Sequence, residues 1–164
     1  MTRATVDLGT EAIDLIAVHM PNGSGNGVKK LAHFHALSTA IAVASPTPRL
    51  ISGDFNSPRD EAVDGKVRCF GGDYRNRGCE WEDAEQAVIT GLSAHGLRDV
   101  FRAAHGYERR AYSHINGRVR RRFDHLFASE HFATQAVDYR IDWLEPPRRS
   151  DHAPLWADLA LRTA

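Results

Sequence analysis

Three short segments carry the side chains that could do chemistry: Gly53-Asp54-Phe55-Asn56, Arg122-Phe123-Asp124-His125 and Ser150-Asp151-His152-Ala153-Pro154. Each is a short apolar or alternating run that stops on acidic, amide or imidazole groups. Together they supply three carboxylates (Asp54, Asp124, Asp151), one amide (Asn56) and one imidazole (His152). That set suits Mg²⁺-dependent phosphoester hydrolysis, with Mn²⁺ as the alternative ion. A carboxylate beside an imidazole favours the charged ring, by about 1–3 pKa units for opposite charges at close range. His152 could then donate to a phosphoryl oxygen, or shuttle a proton, at neutral pH. Asp151 would stay free for a metal. Mg²⁺ fits because it takes one or two carboxylates and fills its octahedron with waters and substrate oxygens.

Each segment also has a plainer reading. Asp54 could cap a turn, with Asn56 making an Asx-turn before Pro58. Alternation over 122–127 puts Phe123, His125 and Phe127 on one face and Arg120, Arg122 and Asp124 on the other. There the plain alternative is an Arg–Asp pair on a solvated face, and His125 reads as a core residue. Asp151 and His152 could be idle loop residues. The recurrence of one layout three times is what favours chemistry. His19-Met20-Pro21-Asn22-Gly23 adds a fourth element: His19 ends a strand, and Asn22 in a tight turn is placed to contact a phosphate.

The elements that must position these groups follow from periodicity and breakers. Ala4–Leu8 and Ala12–His19 read as strands around Gly9-Thr10-Glu11. The glycine-rich loop Gly23–Gly27 leads to a helix whose stripe is Val28, Leu31, Phe34, Ser38 and Ile41. Pro46 and Pro48 end it, and Arg49–Gly53 is a short buried strand. Ser57–Glu80 shows little periodicity and reads as a long loop of the functional or disordered kind. Asp83–Ala94 is helical up to Gly96, and Leu97, Val100, Phe101 and Ala104 form a second amphipathic segment. Ala111–Ile115 and Arg118–Phe127 flank the hairpin signal Asn116-Gly117. Val137–Ile141 and Leu155–Leu161 complete the strands, which gives a mixed α/β sandwich.

The chain has 164 residues and 42% hydrophobic content, enough for one domain with a sizeable core. Lys+Arg and Asp+Glu both number 21, so any contact with nucleic acid must come from a local patch. Arg118, Arg120, Arg121 and Arg122 form that patch, with Arg109, Arg110, Arg148 and Arg149 nearby, unless they merely solubilise a strand. Trp81 could stack on a base, although a buried anchor is the plainer reading. No signal peptide or membrane-length apolar run is visible, which points to a cytoplasmic setting. Cys69 and Cys79 fit two free thiols. His33, His35, His95, His105, His114 and His131 show no ligand spacing.

From His19 to Leu161 these motifs, in this order, resemble the endonuclease/exonuclease/phosphatase superfamily, and Ser150–Leu159 resembles its exonuclease III branch. The resemblance implies a four-layer α/β sandwich of two sheets flanked by helices, and Mg²⁺-dependent phosphodiester hydrolysis of DNA. It implies that Asp54 orients or deprotonates water, that Asn56 binds the scissile phosphate, and that Asp124 pairs with His152. His152 would stabilise the transition state, with Asp54 and Asp151 at the metal. His19, Asn22, Arg120 and Arg122 would contact phosphate. Members of the family begin with another half-domain, carrying a metal-proximal Asn and the main metal-binding Glu, for which this sequence has no room. The expectation is therefore a fold incomplete at its N-terminus, which self-associates or pairs with a complementing half. The competing reading is an inactive remnant acting as a binding or assembly module. A phosphatase- or phospholipase-type substrate is a third.

Overall fold

Alternating apolar residues in two neighbouring segments build the centre of the molecule, and the polar ends of those segments build its site. The computed structural model describes residues 1–9, 11–24, 27–43, 45–71 and 78–162. Thr10 of the first expected turn, two positions of the glycine-rich loop and residues 72–77 of the expected long loop lie outside the described residues. In chain order the strands are β1 (Thr2–Asp7), β2 (Ala12–His19), β3 (Arg49–Asp54), β4 (Asp60–Glu61), β5 (Val67–Arg68) and β6 (Leu97–Asp99). They continue with β7 (His114–Asn116), β8 (Val119–Arg121), β9 (Asp124–Ser129), β10 (Phe132–Tyr139) and β11 (Leu155–Leu161). The helices are α1 (Gly27–Ala42), α2 (Gly78–Ile89) and α3 (Val100–His105).

A five-stranded sheet runs in the order β1-β2-β3-β9-β6. β2 and β3 are parallel, which requires a crossover, and α1 supplies it. The other pairs are antiparallel. On one face Ile16, Val18, Ile51 and Phe127 pack against Phe34, Leu37 and Ile41 of α1 and Val88 and Ile89 of α2. On the other, Leu50, Leu126 and Ala128 pack with Phe132, Val137, Tyr139 and Leu155 of the two-stranded sheet β10–β11. Among the described residues this makes three layers: helices, sheet, sheet. No helix among them is long and apolar enough to cross a membrane.

Several boundaries differ from expectation for identifiable reasons. The buried stripe of α1 is Lys30, Phe34, Leu37 and Ile41, and Val28 is 77% exposed. The stripe shifts because Lys30 has a buried partner: its Nζ lies 2.6 Å from Glu85 Oε1, both side chains fully enclosed. Trp81 belongs to α2 and is buried there. Leu97–Asp99 pairs with β9 as a strand before α3 begins. The expected single strand from Arg118 to Phe127 is two, since β8 ends at Arg121 and β9 starts at Asp124. Cys69 is buried and Cys79 exposed, both free thiols, and burial pushes the Cys69 thiol up to about 12.

The Lys30–Glu85 pair ties α1 to α2 and both to the turn after β3. Lys30 Nζ also donates to Asn56 O at 2.8 Å, while Glu85 accepts from Ser57 Oγ at 3.0 Å and Gly71 N at 2.8 Å. Removing one partner strands an uncompensated buried charge, a loss of about 3–5 kcal/mol. Lys30→Ala and Glu85→Ala should each lower stability by that amount in urea unfolding followed by circular dichroism.

Candidate active site

β3 ends where three strands align their polar residues. In the sheet register Asp54 sits beside His19 of β2 and opposite Asp124 of β9. This places the carboxylates on the sheet face that carries Leu50 and Leu126, because side chains alternate. Gly53 makes the approach to β2 possible: at φ 144°, a Cβ there would lie 1.9 Å from Val18 O. Phe55 then turns into the core against His125 and Phe127. Asn56 adopts φ 47° and closes an Asx-turn on Asp54. Its backbone N donates to Asp54 Oδ1 at 2.7 Å, and its Nδ2 donates to Asp54 Oδ2 at 3.0 Å and to Met20 O at 2.9 Å.

Both amide hydrogens of Asn56 are thus committed within the protein. In this structure Asn56, expected to bind the scissile phosphate, holds the Asp54 carboxylate in place. His19 is open to solvent, with Nε2 3.8 Å from Asp54 Oδ2. Asn22 is exposed and accepts from Ser24 N at 3.0 Å and Ser24 Oγ at 2.9 Å, as in an ordinary turn.

The expected dyad forms. His152 Nδ1 lies 2.7 Å from Asp124 Oδ2, the contact of a ring N–H donating to a carboxylate. Backbone pairing holds both partners. His114 and His152 form an antiparallel bridge, and Ala153 N donates to Ser113 O at 2.7 Å. Ser113 Oγ accepts from the backbone N of Phe123 and of Asp124, both at 2.9 Å, and bridges the break between β8 and β9. Tyr139 Oη donates to Asp124 O at 2.6 Å, and burial raises its pKa, so the phenol keeps its proton.

The hydrogen bond that His152 donates to Asp124 raises the His152 pKa, with further support from Asp54 and Asp151. The Asp54 pKa is raised by burial first and by Asp124 as well, against the Asn56 bond and the His152 and His19 rings. Asp54, Asp124 and His152 therefore sense one another electrostatically, and Asp151 acts on the same imidazole.

Arg122 corrects an expectation. Placed by alternation with the phosphate contacts, it is 3% exposed because the strand breaks beside it and turns it inward. Its guanidinium binds Glu61 through Nε at 2.9 Å and Nη2 at 2.7 Å, and Asp99 through Nη2 at 2.7 Å. Arg102 grips Glu61 from the other side at 2.7 Å. Burial opposes ionisation of Glu61, yet the two guanidiniums hold it at about 2. His125 is a core residue, as expected: it is fully buried, near Asp99 at 3.3 Å and Ser57 O at 2.9 Å. Arg120 is exposed and stacks on Tyr112, 5.1 Å from the ring centre. It lines a cavity of about 470 Å³ with Arg59, Tyr107, Arg110, Tyr112 and Arg121.

Ser113, Tyr139, Glu61 and Asp99 carry no motif and went unseen in the sequence. Asp99 alone had a signal, an Asp before a helix, and it caps α3 by accepting from Arg102 N at 3.0 Å. His114, assigned no role from spacing, lies at the site. Its ring stacks on Phe123 at 5.2 Å, and its pKa is lowered by burial and then by His152.

A raised His152 pKa makes the dyad a pH-dependent stabiliser. Its contribution is complete below 6.5, the ordinary value, and is lost as pH climbs through the raised one. NMR titration should find His152 titrating above ordinary histidine, and Asp124→Asn should bring it down.

No protein-family model matches the chain. No curated protein matches it either. Among solved structures, the crystal structure of humanized D. rerio TDP2 with 14 mutations is similar at 18% identity and a TM-score of 0.66. The likeness covers 96% of this chain and 59% of that one, so the chain spans well under two thirds of its neighbour's length. At that identity the likeness speaks for the fold alone: this chain shares the mixed α/β arrangement of that structure.

Proposed function

We propose that the chain is a divalent-metal-dependent phosphodiesterase acting on nucleic acid, of the exonuclease III type. The observation that carries this reading is the 2.7 Å contact between His152 and Asp124, with Asp54 acting on the same imidazole. His152, kept protonated by Asp124, donates from its other nitrogen to a phosphoryl oxygen and offsets the charge that grows there. Asp54, raised above the ordinary carboxylate value by burial before a metal binds, orients a water aimed at phosphorus. Asn56 holds that carboxylate in one orientation.

The donor set fits a hard cation. Burial and the facing Asp124 both disfavour the charge on Asp54, and a cation relieves both. Asp54 and Asp151 would hold Mg²⁺ or Mn²⁺, which would supply Lewis-acid charge at a phosphoryl oxygen. His19 and Arg120 are exposed and suited to phosphate. The cavity lined by Arg59, Arg110, Arg120 and Arg121 with Tyr107 and Tyr112 offers guanidiniums for a backbone and aromatic faces for bases.

Further points belong to the same proposal. A complementing half-domain or a second copy would supply the fourth layer of the sandwich. The outer edges of β10–β11, which pair with no further strand among the described residues, and the exposed Val6, Leu8 and Trp156 suit such a partner. The cytoplasm is the proposed setting.

Hydrolysis of bis(p-nitrophenyl) phosphate with Mg²⁺ tests the reading against the inactive remnant. His152→Ala should lower the rate by ~10²–10⁴ with unchanged circular dichroism. A wild-type chain inert in Mg²⁺ and Mn²⁺ points to the remnant. Asp54→Asn should raise the melting temperature without metal, because it removes a disfavoured charge, and should abolish the Mg²⁺-induced shift. For the substrate class, Arg110→Ala with Arg120→Ala should flatten the log K against log [salt] slope for DNA by roughly one for each arginine removed.

A further inference from the structure

His114, Asp151 and His152 each offer one ligand atom, and these atoms lie within 4.8 Å of one another. The cause is local and rigid. Residues directly opposite across an antiparallel bridge share a face, and His114 is bridged to His152. Their ring centres are 4.8 Å apart, and the His114 ring is backed by Phe123. Ile115 N donates to Asp151 O at 3.4 Å, which pins the next residue of the same segment.

Two imidazoles and a carboxylate are a borderline-soft donor set. Zn²⁺ and its neighbours in the transition series favour such sets, whereas Mg²⁺ favours oxygen. The supporting contact is present as well. Metal-bound histidine usually donates its second ring N–H to a carboxylate, which fixes the ring and raises ligand basicity. His152 already gives Nδ1 to Asp124, so Nε2 is the nitrogen left for a cation. Donor atoms around tetrahedral Zn²⁺ sit about 3.3 Å apart, given bonds of about 2.0–2.1 Å. Asp151 is exposed, and its swing is the movement that would close the set.

We infer that His114, Asp151 and His152 form a binding site for a Zn²⁺-class cation, with water as the remaining ligand. The site shares Asp151 and His152 with the proposed hydrolytic centre, so its occupation removes the proton donor and opposes Mg²⁺-dependent turnover. This inhibitory consequence rests on the phosphodiesterase reading, whereas the binding does not.

Isothermal titration with Zn²⁺ and the visible spectrum of added Co²⁺ test the binding directly. The wild type should take up one Zn²⁺ and give the intense absorption of tetrahedral Co²⁺. His114→Phe keeps an aromatic ring against Phe123 and removes the nitrogen. It should weaken Zn²⁺ at least tenfold and lose the Co²⁺ bands while keeping the wild-type melting temperature. Asp151→Asn should weaken Zn²⁺ too. Zn²⁺ bound no more tightly by the wild type than by His114→Phe, or Co²⁺ that stays octahedral, overturns the inference. Should His114→Phe fail to fold, His114→Gln with the same readouts decides it. Zn²⁺ binding by a chain that never hydrolyses phosphodiesters upholds the site and sinks only the hydrolytic reading. In an active chain, Zn²⁺ should inhibit the wild type and spare His114→Phe.

Discussion

Asp54 and Asp124 face each other across the antiparallel pair β3–β9, which sets two carboxylates side by side on one sheet face. Like charges at that spacing oppose each other, and Asp54 carries the strain together with the effect of its burial. The surrounding residues answer that one constraint. His152 gives Asp124 a ring N–H donor, Asn56 gives Asp54 two donors, and His19 stands beyond it. The arrangement offsets the repulsion only in part, and the Asp54 carboxyl stays raised above its ordinary value. A chemically useful carboxylate here is one the fold has left imperfectly neutralised.

Beneath this row the fold places charge where apolar residues would have been simpler. Lys30 and Glu85 anchor the turn that carries Asn56, and Glu61, Asp99, Arg102 and Arg122 anchor the break that precedes Asp124. Buried ion pairs add little net stability over well-packed hydrophobic residues, so their value here is directional. A guanidinium fork fixes both its partners and the backbone that bears it, which apolar packing does less sharply. Arg122 therefore supports the candidate site from behind, through the break between β8 and β9 in which it lies.

The residues of the site were legible because they lie where strands end, next to the glycine and proline that punctuate them. Asp54 follows Gly53, Asn56 is followed closely by Pro58, and His152 closely precedes Pro154, and the recurrence of that layout in three segments singles them out. The supporting charges were not legible. A lone Lys30 or Arg122 in sequence reads as solvent-facing, and only a partner brought close by folding reverses that. Glu61 is 61 residues from Arg122 and sits in a segment without periodicity. His114 was invisible for a related reason: its place depends on a bridge between two segments whose pairing no local pattern announces. The Arg118–Phe127 run reads as one strand because apolar and polar residues keep alternating across 122–123, where the backbone in fact breaks between β8 and β9.

That break matters because side chains on a strand have a period of two. In β9 the residues Asp124, Leu126 and Ala128 face the β10–β11 sheet, and His125 and Phe127 face the helices. A one-residue slip would turn Asp124 toward Phe55 and the helices and send His125 and Phe127 to the site face. The native register is held by interactions at both ends of the strand. Ser113 Oγ accepts from Phe123 N and Asp124 N at the entrance, and Arg49 N donates to Ser129 Oγ at the exit. Tyr139, reaching from β10 to Asp124 O, couples this register to the second sheet. The packing of two sheets and the contact between one carboxylate and one imidazole are therefore a single geometric fact.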